Sequence, residues 1–267
     1  MKLSIVISTQ PAKFSALAYK GKLAENIAKI KALGYDGVEL AIRDPKLLDI
    51  AMLESLLVKY EFPVVAIGTG QAYGEEGLSF TSPEEAIRRS AIERIKSQIH
   101  LAERLKSFVI IGLIRGNKRP ETDAELTTRW LIEAMQECAT ENPGVRLVIE
   151  PCNRYETNII NTVDEGLEFL KTLAQPNVGL LLDTFHMNIE EANMLASIGK
   201  AGSRLFHFHI ADSNRWHPGT GHIDFKAVVD RLKKIGYTGY LSAEILPLPD
   251  SDIAAKNTSE YMHRLIK

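Results

Sequence analysis

Short β-branched apolar runs alternate along this chain with longer amphipathic stretches. Eight runs stand out: Leu3–Ser8, Gly37–Ile42, Pro63–Gly68, Phe108–Leu113, Arg146–Glu150, Val178–Asp183, Leu205–Ile210 and Tyr240–Ile245. Several, such as Phe108-Val-Ile-Ile-Gly-Leu, are apolar at nearly every position. Strands covered on both faces read that way, and they belong to parallel sheets. Between the runs the spacing turns helical. Leu23, Ile27, Ile30 and Leu33 form one stripe that stops at Gly34, and Phe225, Val228, Val229, Leu232 and Ile235 form another that stops at Gly236. Thr81-Ser82-Pro83-Glu84-Glu85 predicts an N-cap, a proline at the first helical position and acidic first-turn residues, opening a helix that runs to Leu105.

Strand starts recur every 34 residues or so, about one βα unit each, and eight such units predict a (β/α)8 TIM barrel, an α/β fold. A doubly wound open sheet would place a glycine-rich turn after the first strand. Ser8-Thr9-Gln10-Pro11 is no such turn. No linker or low-complexity stretch divides residues 1–267, so one domain is expected. The segment Gly70-Gln-Ala-Tyr-Gly-Glu-Glu-Gly-Leu-Ser reads as part of a glycine-bearing loop over 70–82, suited to a plain connection or a lid.

Composition narrows the function classes. Of the 267 residues 45% are apolar and 25% charged, with a formal charge of −2. That is ordinary for a globular enzyme, and it argues against a nucleic-acid partner, which calls for a basic excess. Cys138 and Cys152 make no disulfide framework, and nothing beside Cys152 marks it as a thiolate. The apolar stretch after Lys2 is shorter than a signal peptide's core, and no run reaches the length of a membrane span. A cytoplasmic protein without membrane attachment is the expectation.

On a barrel, chemistry collects at the C-terminal ends of the strands. The last four runs finish or nearly finish in Glu150, Asp183, His209 and Glu244. A charge closing an apolar run is costly unless paired or bound to a metal. Singly, such a carboxylate is more often a helix cap or an ion-pair partner. Four on consecutive strands predict a site for one divalent cation, because three converging carboxylates would otherwise repel each other. Oxygen-rich ligands with a single imidazole favour Mn²⁺, with Mg²⁺ or Co²⁺ as further options. His207 lies one step deeper on the same face and reads as a hydrogen-bonded core histidine. His186, Arg215 and Glu156 fall on the following βα loops, where binding groups gather.

The segments Val148-Ile-Glu-Pro, Leu182-Asp-Thr-Phe-His-Met-Asn, Phe208-His-Ile-Ala-Asp-Ser-Asn-Arg and Gly219-Thr-Gly-His-Ile-Asp-Phe resemble the xylose-isomerase-like barrels, and more narrowly the ketose 3-epimerases typified by D-tagatose and D-psicose 3-epimerase. The resemblance spans essentially the whole chain. It implies metal ligands at Glu150, Asp183, His209 and Glu244, an acid/base pair in Glu150 and Glu244, and substrate-oxygen binders at His186 and Arg215. Glu156 would lie beside the substrate's end, and the family's dimers and tetramers admit a homo-oligomer. The implied reaction is inversion of the carbon next to the ketone, through an enediolate, with no nicotinamide or flavin.

One departure from the sugar epimerases is Arg115, just past the fourth run, where they carry uncharged residues. With Gly68-Thr-Gly-Gln-Ala-Tyr and Asn153-Arg-Tyr-Glu-Thr, it is similar to the branch acting on keto-acid sugars, the 5-keto-L-gluconate epimerases. Arg115 is therefore expected to bind a substrate carboxylate, as in 5-keto-L-gluconate or D-tagaturonate. Its alternative is a surface arginine paired with an acidic neighbour within Glu121–Glu125. Other readings of the chain are a neutral ketohexose 3-epimerase, a lyase resembling inosose dehydratase, a metal phosphodiesterase resembling endonuclease IV, and a sugar-binding barrel with a structural metal. Only one of the seven histidines stands at a clear ligand position, which disfavours the phosphodiesterase.

Overall fold

Period-two alternation sends one side of each strand to the helices and the other to the barrel interior. In β1 (Lys2–Ser8), Leu3, Ile5 and Ile7 join the large core between strands and helices, while Val6 belongs to a separate inner cluster. The computed structural model describes residues 1–266. Seven further strands follow β1: β2 (Gly37–Ala41), β3 (Val64–Gly68), β4 (Phe108–Ile111), β5 (Leu147–Ile149), β6 (Val178–Asp183), β7 (Leu205–Ile210) and β8 (Tyr240–Ala243). Each pairs in parallel with the next, and β8 returns to β1 through Lys2↔Tyr240 and Ser4↔Ser242. The barrel is closed. A two-residue strand, Tyr19–Lys20, adds to the outer end of β1. Ala66, Ile110, Val148 and Leu181, one from each of four consecutive strands, form a small separate apolar cluster. It fills the interior in the manner of a packed barrel rather than a pore.

Two register shifts interrupt the otherwise regular pairing. Val38 pairs with Val64 but Glu39 with Ala66, so Val65 is the extra residue; Leu180 pairs with Leu205 but Leu181 with His207, so Phe206 is the extra one. Regular pairing through β1 and β8 puts Glu39 on β2 and His209 on β7 on one inward face, since Val6 pairs with Glu39, Ser4 with Ser242 and Ser242 with His209, and alternation adds His207. Gly179 is what lets Phe206 turn in, since a Cβ there would lie 2.4 Å from its ring.

The helices largely follow the periodicity. Leu23–Ala32 and Phe225–Lys234 bury the expected stripes. Two expectations are corrected. The long helix spans Glu85–Leu105 with Glu84 at its cap, so Pro83 lies before the first turn; Ser82 Oγ accepts from Glu84 N at 3.2 Å instead of capping the helix, and Thr81 Oγ1 donates to the Asn117 carbonyl at 3.0 Å. The glycine-bearing segment is no simple loop either: Gly70–Glu76 is a helix, ended by Gly77 at φ 71°. No described helix is long and apolar enough to cross a membrane.

Candidate active site

The four strand-end residues meet. One ligand atom each from Glu150, Asp183, His209 and Glu244 lies within 4.8 Å of the other three. His209 Nδ1 faces all three carboxylates, at 3.8 Å from Glu150 Oε1, 3.9 Å from Asp183 Oδ2 and 3.9 Å from Glu244 Oε2. Glu150 sits one residue past β5 and Glu244 one past β8. Asp183 closes β6 and also caps the helix Thr184–Glu190, its Oδ1 accepting from Phe185 N at 2.8 Å. Cap and ligand-set member are here the same residue, on different oxygens.

The donor set fits a divalent cation. His209 Nδ1 and Glu150 Oε1 are buried without a hydrogen-bond partner. A buried polar group without a partner is costly, and a cation at the point these atoms share would satisfy both. Charge tells the same story. Burial, with Glu244 and Asp183 nearby, pushes the Glu150 carboxyl up to about 8. Burial likewise raises Glu244 to about 7. Asp183 resists: burial works to raise it, but Arg215, His186 and His209 hold it below the usual carboxylate range.

The tautomer of His209 follows from a residue that sequence reasoning passes over. Glu39 is buried on β2, with Oε2 3.0 Å from His209 Nε2 and 2.8 Å from His207 Nε2. An ionised carboxylate only accepts, so His209 gives it the Nε2 proton and keeps the Nδ1 lone pair for the carboxylate cluster. Burial opposes charge on Glu39, yet the two imidazoles hold it well below the ordinary range. Without a cation, His209 is itself raised to about 10, burial being outweighed by Glu39 and the other carboxylates. The signal for Glu39 was present: a lone carboxylate inside Gly37–Ile42 is the same anomaly that marks the strand-end set. His207 is the buried, hydrogen-bonded histidine that was expected.

A cavity of about 330 Å³ opens over this cluster. Glu150, His209, Glu244, His186 and Glu156 line it, together with apolar side chains that include Val6, Leu17 and Ile110. His186 lies in the helix Thr184–Glu190 rather than in a loop. Burial lowers its pKa to about 3 against the pull of Asp183, so its imidazole is neutral. Its Nε2 is 3.8 Å from Glu150 Oε1. Glu156, in the turn after β5, accepts from Asn153 Nδ2 at 3.0 Å. Arg215 reaches the cluster from a loop organised by Asp212, whose carboxylate accepts from the backbone of Ser213, Gly219, Thr220 and Ile223. Its guanidinium donates to Asp183 Oδ2 at 2.6 Å and to Glu244 Oε2, and lies over the Phe185 ring.

Arg115 is not brought to the cavity. It is fully buried, and its guanidinium donates to the carbonyls of Ile159 at 3.0 Å, Gly112 at 3.1 Å and Ile160 at 3.3 Å. A substrate carboxylate would have to displace those carbonyls. The same placement excludes a surface pair with Glu121–Glu125. The chain turns inward because Gly116, at φ 87°, passes so close to Ser79 and Thr81 that a Cβ would lie 2.1 Å from both hydroxyls. Cys152 is buried, and burial raises its thiol further.

Comparison with known proteins agrees with this geometry. Residues 27–262 match the family described as xylose isomerase-like TIM barrel. The chain is 44% identical over 235 residues to D-psicose 3-epimerase of Agrobacterium fabrum (strain C58), covering 85% of this chain and 80% of that protein. It is 35% identical over 240 residues to L-ribulose 3-epimerase of Methylomonas sp. (strain DH-1), covering 87% and 81%. A solved D-allulose 3-epimerase from Methylomonas sp., in complex with D-allulose, superposes with a TM-score of 0.82 at 30% identity, over 99% of this chain and 97% of that one. The chain is thus a member of the xylose isomerase-like TIM barrels and, within them, of the ketose 3-epimerase family of sugar epimerases, an isomerase.

Proposed function

We propose that this protein inverts the hydroxyl-bearing carbon next to the ketone of a free, uncharged ketose, exchanging its proton between Glu150 and Glu244. The observation that carries the reading is that these two glutamates, arriving from the ends of β5 and β8, line one cavity together with His186 and His209. Inversion needs one group to remove a proton from one face and another to return a proton to the opposite face. Glu150, Asp183, His209 and Glu244 would hold a divalent cation, for which the oxygen-rich set favours Mn²⁺ or Mg²⁺. When bound, such a cation supplies Lewis-acid polarisation of the ketone. One glutamate takes the proton from the neighbouring carbon and leaves an enediolate. The neutral His186 donates a hydrogen bond toward the oxygen that gains charge, and the Arg215 guanidinium adds a fixed positive field beside it. The second glutamate then protonates the other face.

An uncharged substrate is favoured because the Arg115 guanidinium is occupied by main-chain carbonyls. The relatives named as L-ribulose and D-psicose 3-epimerases support the same class. A keto-hexonate such as 5-keto-L-gluconate or D-tagaturonate is the second reading, favoured by Lys13, which lines the cavity at its exposed mouth.

The test is a panel of both classes incubated with the Mn²⁺-loaded protein in heavy water. Inverted ketose carrying one deuterium at the inverted carbon is expected. Inversion without solvent label would point to a hydride shift and refute the glutamate pair. Preferred turnover of the acid sugars, lost on Lys13→Met, would favour the second reading.

A further inference from the structure

The turn after β5 carries a buried amide to which neither the sequence nor the reaction has assigned a task. Asn153 is 2% exposed and stands between the two groups that face the substrate's side of the cavity. Its orientation is fixed by its neighbours. Oδ1 accepts from Tyr155 N at 2.9 Å, so the other arm is the NH₂ group. That group donates to Glu156 Oε1 at 3.0 Å and lies 2.7 Å from His186 Nδ1. The Asn153 backbone N–H points at the same nitrogen, at 3.4 Å. Two donors therefore converge on His186 Nδ1, and a nitrogen so placed must present its lone pair. A neutral imidazole with a bare Nδ1 carries its proton on Nε2.

We propose that Asn153 is a positioning residue that locks His186 as the neutral Nε2–H tautomer, so that His186 meets a substrate oxygen only as a hydrogen-bond donor. Its second N–H ties Glu156 into the same unit, so one amide sets the aim of both. The two cavity histidines thereby share the Nε2–H tautomer but present opposite nitrogens: Glu39 takes the Nε2 proton of His209 and leaves its lone pair for the carboxylate cluster, while Asn153 engages the lone pair of His186 and leaves its Nε2 proton for the substrate. The substrate-facing part of this inference rests on the ketose reading; the tautomer does not.

Long-range ¹H–¹⁵N spectra of histidine-labelled protein, loaded with diamagnetic Mg²⁺, decide the tautomer without substrate. The His186 signals are identified by their loss in His186→Gln. The expected result is a bare Nδ1 and a protonated Nε2 for His186. A protonated Nδ1 overturns the proposal, whatever the enzyme does to sugars. In Asn153→Asp the carboxylate would draw a proton onto Nδ1, and a spectrum unchanged from the native one also overturns it. Should that variant not fold, kinetics supply the second arm. Asn153→Ala is expected to lower kcat/KM about ten- to a hundredfold in the native background, as loss of an orienting partner does. In the His186→Gln background the same change should cost little, because a glutamine amide carries its own donor whatever stands beside it. Equal losses in both backgrounds would make Asn153 merely structural.

Discussion

Two buried arginines, a hundred positions apart, each follow a strand on the active face of the barrel, and they do different work. Arg215 points its fork at carboxylates, Asp183 and Glu244, and sits over an aromatic ring. Arg115 points its fork at the main-chain carbonyls of Ile159 and Ile160, in the segment after β5, and of Gly112, just after β4. The first guanidinium sets the charge of the site. The second holds the loop carrying Asn153 and Glu156, including Ile160, a β-branched residue at φ 58° where such side chains are uncommon. A cation after an apolar strand is thus a sign of an active face, while its role depends on what its five N–H groups meet.

The sharpest way to break the comparison is to remove each fork in turn. Arg215→Met should lower kcat/KM by roughly 10²–10³-fold, the usual cost of deleting a preorganised donor beside developing charge. It also leaves two buried carboxylates short of a counter-charge, so its melting temperature should depend on added divalent metal more steeply than the native protein's. Steady-state kinetics with metal in excess, and thermal melts with and without chelator, measure both. Near-native turnover with Arg215→Met would remove Arg215 from the working parts of the site.

Arg115→Met should reverse the pattern. Three buried carbonyls lose a donor, although Ile160 and Gly112 keep partners in Cys152 N and Arg115 N. A loss of about 2–4 kcal/mol in stability is expected, from roughly 1–3 kcal/mol per unsatisfied group less what those partners retain. That corresponds to a fall of roughly 5–15 °C in Tm for a domain of this size. Whatever activity is lost should fall equally for neutral and acid sugars. A loss confined to keto-acid sugars would return Arg115 to the substrate.

The barrel was legible because burial on both faces writes itself as runs such as Val178–Asp183, and its strands keep nearly those bounds. The strand-end quartet was legible for the same reason, since each charge interrupts an apolar context. What stayed hidden is set by geometry that leaves no local mark. Glu39 meets His207 and His209 only across the folded barrel, 168 and 170 positions away, and nothing local announces that partnership. Asn153 looks like any turn residue until its partner, 33 positions away in His186, is in place. Arg115 was misdirected because the sequence places its Cα at the active face and cannot say that the chain then bends inward past Gly116.

Glu39 sharpens the contrast because it acts on the cluster through the imidazole of His209, whose Nε2 it engages. Glu39→Gln keeps the shape but offers an amide that can donate to His209 Nε2 and so favour the wrong tautomer. Affinity for Mn²⁺ should fall about 10–100-fold, the common cost of losing a partner that orients a ligating histidine. Calorimetric titration of metal-stripped protein measures it. Neither arginine variant that spares Glu39 should reproduce that loss through His209. An unchanged affinity would reduce the Glu39–His209 contact to packing.

The smallest effect separates the arginines by pH. In the metal-free chain Glu150 is raised to about 8 and Glu244 to about 7. Below pH 7 both carry protons that a cation must displace, so apparent metal affinity weakens as pH falls. It strengthens as pH rises by about tenfold per unit for each proton still displaced, so the slope eases as pH passes 7 and 8, and the His209 proton, held to about 10, keeps a residual slope above that. Arg215 works against those protons, lowering both glutamates by its charge. Removing it raises their pKa values, so in Arg215→Met the midpoint of the affinity profile should move upward, by about one unit. In Arg115→Met the midpoint should stay put, because that guanidinium faces carbonyls and touches neither glutamate. Titrations with Mg²⁺ between pH 6 and 9 measure the three profiles. Equal shifts in the two variants would mean that long-range charge, not direct contact, governs the cluster, and the distinction between the two arginines would collapse to distance alone.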